Sequence, residues 1–239
     1  MKRLATLCTL ILFTLGINAQ TTVIDFETEG DGYTPSGTEG TVGSSTDIFN
    51  RTNPDIGGNA TYIWACEDIN LTDPTITIDQ IDVTGSTSFT ISLDMLTPNT
   101  NDWDISDELL ITYSVDGGAT QNLLWVQSIP DGDDFNAPAA LDLAFDGDGD
   151  AGNELPALVD DFGAGVGNTF ATFTSASFPL SSNTTLDITL QFVGLTAAAE
   201  GIYIDNITIT ESGTPVTAPV ITNLMHTPTD PTSSDDVVV

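Results

Sequence analysis

Hydrophobic and polar residues alternate with a period of two along three segments of the chain, which is the pattern of half-buried β-strands. The alternating hydrophobic positions are Phe89, Ile91, Leu93 and Met95 in the first segment, Leu109, Ile111, Tyr113 and Val115 in the second, and Leu186, Ile188, Leu190 and Phe192 in the third. Weaker strand signals lie at 22–26, 61–65, 75–83, 121–127, 169–178 and 201–210. Asp116-Gly117-Gly118 follows the second segment and predicts a hairpin turn. Together the strands predict an all-β protein, an antiparallel two-sheet sandwich of jelly-roll type.

The segment 201–210 changes the phase of its own alternation. Its hydrophobic residues are even-numbered up to Ile204 and odd-numbered from Ile207 on. A β-bulge at Asp205-Asn206 would produce this change and would redirect the Asp205 side chain. A strand that is hydrophobic on both faces explains the same pattern, and periodicity alone does not separate the two explanations.

The N-terminus has the features of a secretory signal peptide, which we assign to residues 1–20. Two basic residues precede an apolar run that is too short to span a bilayer and that ends at a small-residue cleavage site near Ala19. Cleavage would remove Cys8 and leave Cys66 as the only cysteine, so that no disulfide could form within the chain. We therefore expect a secreted or cell-surface protein with no membrane insertion after cleavage.

Composition divides the rest of the chain into three parts. Residues 21–211 carry the strand signals and form the predicted sandwich module. Residues 212–218 are rich in Ser, Gly, Thr and Pro and predict a linker. Residues 219–239 have the pattern of the opening strands of a second β domain and stop in mid-strand, so we expect the chain to be a fragment of a longer protein.

The chain is strongly acidic: its 239 residues include 3 Lys and Arg against 35 Asp and Glu, for a formal charge of −32. Outside the predicted leader only Arg51 is basic, which argues against nucleic acid and anionic membrane surfaces as partners. The one histidine, His226, lies near the C-terminal end, so the body of the chain has neither Ser-His-Asp nor Cys-His catalysis and no multi-histidine metal site. Some pair of acids will always be close in such a chain, so a carboxylate pair has no specificity as a catalytic signal. We expect no catalytic residues.

The sharpest acidic motif is the glycine-rich segment 146–154, with carboxylates at Asp146, Asp148, Asp150 and Glu154. Carboxylates spaced in this way place several oxygens around one point, which is what Ca²⁺ requires. The match to an EF-hand loop is incomplete, and the segment is nearer to the shorter Asp-x-Asp-x-Asp loops of secreted calcium proteins. The alternative is a solvated acidic loop.

Several segments of the module resemble known secreted domains. The opening and closing strands, at 23–27 and 202–207, resemble the first and last strands of carbohydrate-binding modules and MAM-like domains. Interior segments resemble, more narrowly, an uncharacterised module that precedes immunoglobulin-like repeats, lamin-tail domains or nuclease domains in secreted proteins of marine Bacteroidetes. These segments are 64–69, 103–107, 113–118 and 123–125. Residues 219–239 likewise resemble the start of an immunoglobulin-like repeat. The resemblance implies a jelly-roll accessory module and names no ligand.

The resemblance also implies a structural Ca²⁺ ion where the first and last strands meet. Glu27 and Asp205 match the ligand positions there, with Asp25 as a helper. The change of phase at Asp205 agrees with such a role. The alternative is that these acids lie on an exposed sheet edge and only discourage edge-to-edge pairing.

Sugar binding would use exposed aromatic side chains as stacking platforms. Trp103 lies between two aspartates in a polar segment and is the predicted ligand-binding residue, and Tyr33 and Tyr62 are further candidates. Trp64 and Trp125 lie within apolar strands and are predicted to belong to the core. The acids around Trp103 are either solvated or cation ligands, and they are Asp102, Asp104, Asp107 and Glu108.

These observations predict a non-catalytic, calcium-stabilised binding or adhesion module, with extracellular polysaccharide or cell-surface components as partners. The alternative is an accessory N-terminal domain of a secreted hydrolase, such as an extracellular nuclease whose catalytic part lies beyond residue 239. A structural spacer is the third possibility.

Overall fold

The residues that the computed structural model describes all lie between residues 18 and 214. The described residues are 20–42, 46–53, 61–97, 103–104, 106–128, 139–142, 170–197 and 200–213. Residues 1–19 of the predicted signal peptide, the predicted calcium loop at 146–154 and the predicted second domain at 219–239 lie outside them. Within the described part of the chain, no helix has the length and hydropathy needed to cross a bilayer.

The described residues form thirteen strands. They are β1 (Thr21–Ile24), β2 (Thr34–Pro35), β3 (Ile48–Thr52), β4 (Ile63–Glu67), β5 (Thr75–Asp82), β6 (Ser86–Leu96), β7 (Glu108–Val115), β8 (Gln121–Ser128), β9 (Ala139–Asp142), β10 (Ala171–Thr174), β11 (Phe178–Pro179), β12 (Thr185–Val193) and β13 (Gly201–Gly213). The last strand therefore includes the first two residues of the predicted linker.

The strands form two antiparallel sheets. One has the order β10-β6-β13-β4-β3, with β1 also paired to β13 and β11 to β6. The other has the order β2-β5-β12-β7-β8-β9. The predicted fold class, an all-β antiparallel sandwich of jelly-roll type, is confirmed. In this arrangement β3 and β2 are edge strands of the two sheets.

The hydrophobic core lies between the sheets and uses the predicted inward positions. In the three clearest segments every alternating hydrophobic residue except Val115 is buried, because successive side chains on a strand point to opposite faces. A smaller cluster lies apart from this core and consists of Ile48, Ile63, Ala65, Leu96 and Tyr203. Trp64 belongs to the main core, as predicted.

The predicted hairpin turn after β7 is confirmed. Asp116 and Gly117 have φ values of 51° and 66°, and the N–H of Gly118 donates to the carbonyl of Val115 over 2.9 Å, as in a type I′ turn. The Asp116 carboxylate accepts hydrogen bonds from the backbone N–H groups of Thr184 and Thr185, which hold the pKa of Asp116 far below its ordinary value. The turn is thereby joined to the start of β12.

Candidate ligand-binding and metal sites

The predicted bulge in the last strand is present. The register of β13 against β6 shifts between Asp205 and Thr208, and Asn206 has a φ of 49°. The strand is also buried on both faces before the bulge, since Tyr203 packs in the smaller cluster while its neighbours Ile202 and Ile204 lie in the main core. Both explanations of the sequence pattern therefore hold, each over part of the strand.

The bulge places Asp205 in the interior of the sheet. Its side chain is 2% exposed, so the alternative that it lies on an exposed sheet edge is wrong. Its Oδ1 accepts a hydrogen bond from the N–H of Asn206 at 2.8 Å. Its Oδ2 lies 3.4 Å from the hydroxyl of Thr61, at the entry to β4.

Glu27, in the segment that follows β1, reaches the same entry to β4. Its Oε1 accepts a hydrogen bond from the N–H of Tyr62 at 2.8 Å. The two carboxylates that the resemblance singled out, Glu27 and Asp205, therefore bond to adjacent residues, Thr61 and Tyr62. Asp25 is instead engaged with its own loop, where its Oδ1 accepts from the N–H of Glu27 at 3.1 Å.

Arg51 is the nearest cation to this junction. Its Nε donates to the carbonyl of Phe26, and its Nη2 donates to the carbonyl of Glu27 at 2.6 Å. The guanidinium carbon lies 3.4 Å from the ring centroid of Tyr62, in a cation–π arrangement. Arg51 thereby ties the chain after β1 to the edge strand β3.

The junction fits a calcium ion only in part. Glu27 and Asp205 supply two carboxylates, but Arg51 already occupies two backbone oxygens beside Glu27. Within the ranges that the structure describes, no three Asp, Glu, His or Cys side chains are grouped so as to hold a metal ion. An ion at this position would therefore depend on these two carboxylates together with backbone oxygens, a donor set that Ca²⁺ accepts.

A cavity of about 270 Å³ lies beside the junction, where the edge strands β2 and β3 of the two sheets face each other. We call it the edge cavity. It is lined by Glu29, Gly30, Tyr33, Thr34, Pro35, Thr38, Asn50, Arg51 and Trp64. The rings of Tyr33 and Trp64 meet edge to face with centroids 5.9 Å apart, and Phe26 packs against both.

Two residues that line the edge cavity carry a buried donor that has no acceptor among the described residues. Tyr33 and Trp64 are 4% and 1% exposed, and neither the phenol O–H nor the indole Nε1–H has an acceptor among the described residues. A buried donor without an acceptor costs about 1–3 kcal/mol, so native proteins rarely leave one in this state. The edge cavity therefore has hydrogen-bonding capacity that the described protein does not use.

The edge cavity also offers acceptors. The amide nitrogen of Asn50 donates to the carbonyl of Gly40 at 2.7 Å, which leaves its amide oxygen as an acceptor. The carboxylate of the exposed residue Glu29 adds two more acceptor oxygens. Among the described residues, the hydrogen bonds of Arg51 to backbone carbonyls use Nε and Nη2 and leave the terminal nitrogen Nη1. The lining of the edge cavity thus combines aromatic residues with both hydrogen-bond donors and acceptors.

The prediction that Trp103 is an exposed sugar platform is wrong. Its side chain is 0% exposed, and its Nε1 donates to the carbonyl of Gly201 at 3.3 Å. The neighbouring Asp107 is also buried, at 1% exposure, and its Oδ2 accepts from the N–H of Asp104. This burial, together with the nearby Glu200 and Asp104 carboxylates, raises the pKa of Asp107 to about 7. A solvated acidic loop does not describe these residues.

The sequence indicated Tyr33 as a candidate but did not indicate Asn50 or Arg51, and Trp64 was predicted to belong to the core alone. The signal that could have found the edge cavity is Arg51, the only Lys or Arg outside residues 2 and 3 of a strongly acidic chain. Asp146, Asp148, Asp150 and Glu154 lie outside the described residues, so the calcium loop stays a prediction.

Comparisons with known proteins give a likeness of fold. No family model and no curated protein matches the sequence. The CBM22-1 xylan-binding domain of Paenibacillus barcinonensis Xyn10C is 13% identical, with a TM-score of 0.44 over 83% of this chain and 99% of that chain. The xylan-binding module CBM15 is 15% identical, with a TM-score of 0.40 over 82% and 99% of the two chains. The CBM22-1-GH10 modules of Clostridium thermocellum endo-1,4-beta-D-xylanase 10B are 12% identical, with a TM-score of 0.40 over 82% of this chain and 29% of that chain. At these identities and TM-scores the likenesses carry no argument about what this chain binds.

Proposed function

We propose that the sandwich is a non-catalytic carbohydrate-binding module of an extracellular protein. The observation that carries the proposal is the edge cavity, whose lining residues include Tyr33 and Trp64, with donors that no described residue accepts, and Asn50 and Glu29, with acceptor oxygens. Sites for small polar ligands combine apolar or aromatic walls with a few placed polar groups in this way. Sugars match such a site because their rings have apolar faces and their hydroxyls both donate and accept.

The lining of the edge cavity favours binding over catalysis. Glycoside hydrolysis by the usual route needs two carboxyl groups that flank the scissile bond. The edge cavity is lined by one carboxylate, that of Glu29, and the other acids of the junction are engaged elsewhere. The residues are therefore suited to hold a ligand and not to cleave it.

Affinity electrophoresis tests the proposal. We expect residues 20–213 to be retarded in gels that contain at least one of a panel of polysaccharides: xylan, mixed-linkage glucan, mannan, galactan, alginate and pectin. Serum albumin run in the same gels controls for charge and viscosity. If the folded protein migrates at its reference mobility in every gel, the assignment of carbohydrate binding is wrong.

We further propose that Ca²⁺ stabilises the module through Glu27, Asp205 and nearby backbone oxygens. Extracellular calcium modules bind with Kd values of about 10⁻⁴–10⁻³ M, so an ion concentration of a few millimolar adds about 1–2 kcal/mol to the free energy of unfolding. We expect a rise in Tm of several degrees with Ca²⁺ and little with Mg²⁺ or NaCl at equal ionic strength.

Two variants, compared with a surface control, show how much of the rise in Tm comes from each proposed calcium site. Asp205→Asn should remove the part of the rise that comes from the strand junction, while Asp73→Asn, at an exposed loop position, should keep the full rise. Asp148→Ala tests the predicted loop of Asp146, Asp148, Asp150 and Glu154 in the same way. An equal Tm increase with NaCl alone would show screening of a charged surface and would remove both sites.

A further inference from the structure

We infer that the edge cavity binds a single neutral sugar ring at the end of a glycan chain. This inference rests on the proposed function and narrows its ligand.

The size of the edge cavity limits the ligand to about one ring. Its volume of about 270 Å³ lies just below the range of roughly 300–1,000 Å³ that holds drug-sized ligands. It corresponds to about nine water molecules at roughly 30 Å³ each, close to the space that one sugar ring with its hydroxyls needs. A cavity of this size receives a terminal residue and leaves the rest of the chain outside.

The hydrogen-bonding groups call for a ligand that both accepts and donates. The O–H of Tyr33 and the Nε1–H of Trp64 require acceptors, whereas the amide oxygen of Asn50 and the carboxylate of Glu29 require donors. A hydroxyl group provides one donor and two acceptor lone pairs. Adjacent hydroxyls on one ring therefore satisfy both kinds of group, whereas a ketone only accepts and an ammonium group only donates.

The charges favour a neutral ring over an acidic one. Arg51 is the only cation outside residues 2 and 3, and two of its nitrogens are engaged by backbone carbonyls. Glu29 lies at the edge cavity itself, and the formal charge of the chain is −32. This negative charge would repel a uronate or a sulfated sugar, and the repulsion acts over a Debye length of about 8 Å at physiological salt.

Calorimetric titration against methyl glycosides and matched oligosaccharides tests the inference. The probes are the neutral methyl glycosides of xylose, glucose, galactose and mannose, the uronates of glucose and galactose, and oligomers of two to six rings of the polysaccharide retained in the gels. We expect one neutral glycoside to bind and the affinity to change less than about threefold from two rings to six. A rise of more than tenfold with chain length, or a preference for a uronate, would overturn the inference while leaving the proposed function intact.

Two variants, one in the edge cavity and one outside it, test the contribution of the Tyr33 hydroxyl. Tyr33→Phe removes only the unpartnered hydroxyl and should weaken binding about three- to tenfold, the loss expected for one hydrogen bond. Tyr113→Phe is the matched control, because its hydroxyl bonds Gln121 outside the edge cavity, and its affinity should be unchanged. A wild-type affinity in Tyr33→Phe would show that the ligand does not bond the Tyr33 hydroxyl and would overturn the inference.

A spectroscopic readout locates the ligand without relying on affinity. In a ¹⁵N–¹H spectrum the indole signal of Trp64, assigned by Trp64→Phe, should move as the glycoside is added. The indole of Trp103 donates to the carbonyl of Gly201 and should stay in place. Movement of the Trp103 signal with a stationary Trp64 signal would place the ligand elsewhere.

Discussion

Replacing Gly194 by alanine is expected to lower the free energy of unfolding by about 3 kcal/mol. Gly194 follows β12 with a φ of +82°, a conformation that costs an L-residue about 1 kcal/mol. An added Cβ would lie under 3.0 Å from the carbonyl oxygen and carbon of Ser106 and from the Asp107 carboxylate. Forcing extra volume into a packed site costs about 1–3 kcal/mol more, and here the nearest atom, the carbonyl oxygen of Ser106, belongs to the backbone and cannot rotate away.

Gly85→Ala is the matched control for this prediction. Gly85 has a similar φ of +85°, but no heavy atom lies within 4 Å of the position of its Cβ. It should therefore show the conformational cost alone, about 1 kcal/mol. Urea unfolding of both variants measures the difference. If Gly194→Ala and Gly85→Ala lower the free energy of unfolding equally, the segment after β12 does not pack against Ser106 and Asp107 as described.

Stability is expected to fall as the pH rises from about 4 to about 7, in part because of Asp107. Burial raises the pKa of Asp107 to about 7 in the folded state, whereas its pKa in the unfolded chain is about 4. The folded state therefore holds the proton over this range and the unfolded state does not. The stability that this proton contributes is complete below about pH 4 and is lost by about pH 7.

Asp107→Asn removes this titration and should raise stability at about pH 8 by about 2 kcal/mol, with little effect near pH 4. Asparagine keeps an oxygen that can accept from the N–H of Asp104. The carboxylates of Asp104, Glu108 and Glu200 lie near Asp107, and burial also raises the pKa values of Glu108 and Glu200. The free energy of unfolding of Asp107→Asn should therefore still fall with rising pH, but with a smaller slope than that of the wild type.

Urea unfolding between about pH 4 and about pH 8 measures this effect. Asp73→Asn, on the surface, should reproduce the wild-type profile and serves as the control. If Asp107→Asn has the wild-type slope, the carboxyl group of Asp107 is ionised in the folded protein at neutral pH and is not buried as described.

Local alternation along the chain was sufficient to predict the sandwich. Hydrophobic and polar residues must alternate along a strand with one buried face. Phe89, Leu109 and Leu186 therefore mark inward positions before any partner strand is known. The same reasoning located the bulge at Asp205, since a bulge shifts the phase within one strand. Short strands such as β2 and β11, with two residues each, are too brief for a period to appear.

Prediction failed where burial depends on distant parts of the chain. The aspartates beside Trp103 suggested an exposed loop, but this segment packs where the chain enters β13, and its indole bonds the carbonyl of Gly201. No local pattern reports that contact, because the two residues are nearly a hundred positions apart. The burial of Asp107 was missed for the same reason.

The sequence determines which side of each strand is apolar, how acidic the surface is and where the last strand changes phase, because these properties depend on neighbouring residues. The edge cavity depends on sheet order and register. Tyr33 lies just before β2, Arg51 lies on β3 and Trp64 opposite it on β4, and they meet only because β2 and β3 are the edges of two facing sheets. Their separation along the chain carries no information about that meeting, since the free energy that brings them together comes from burying the whole core.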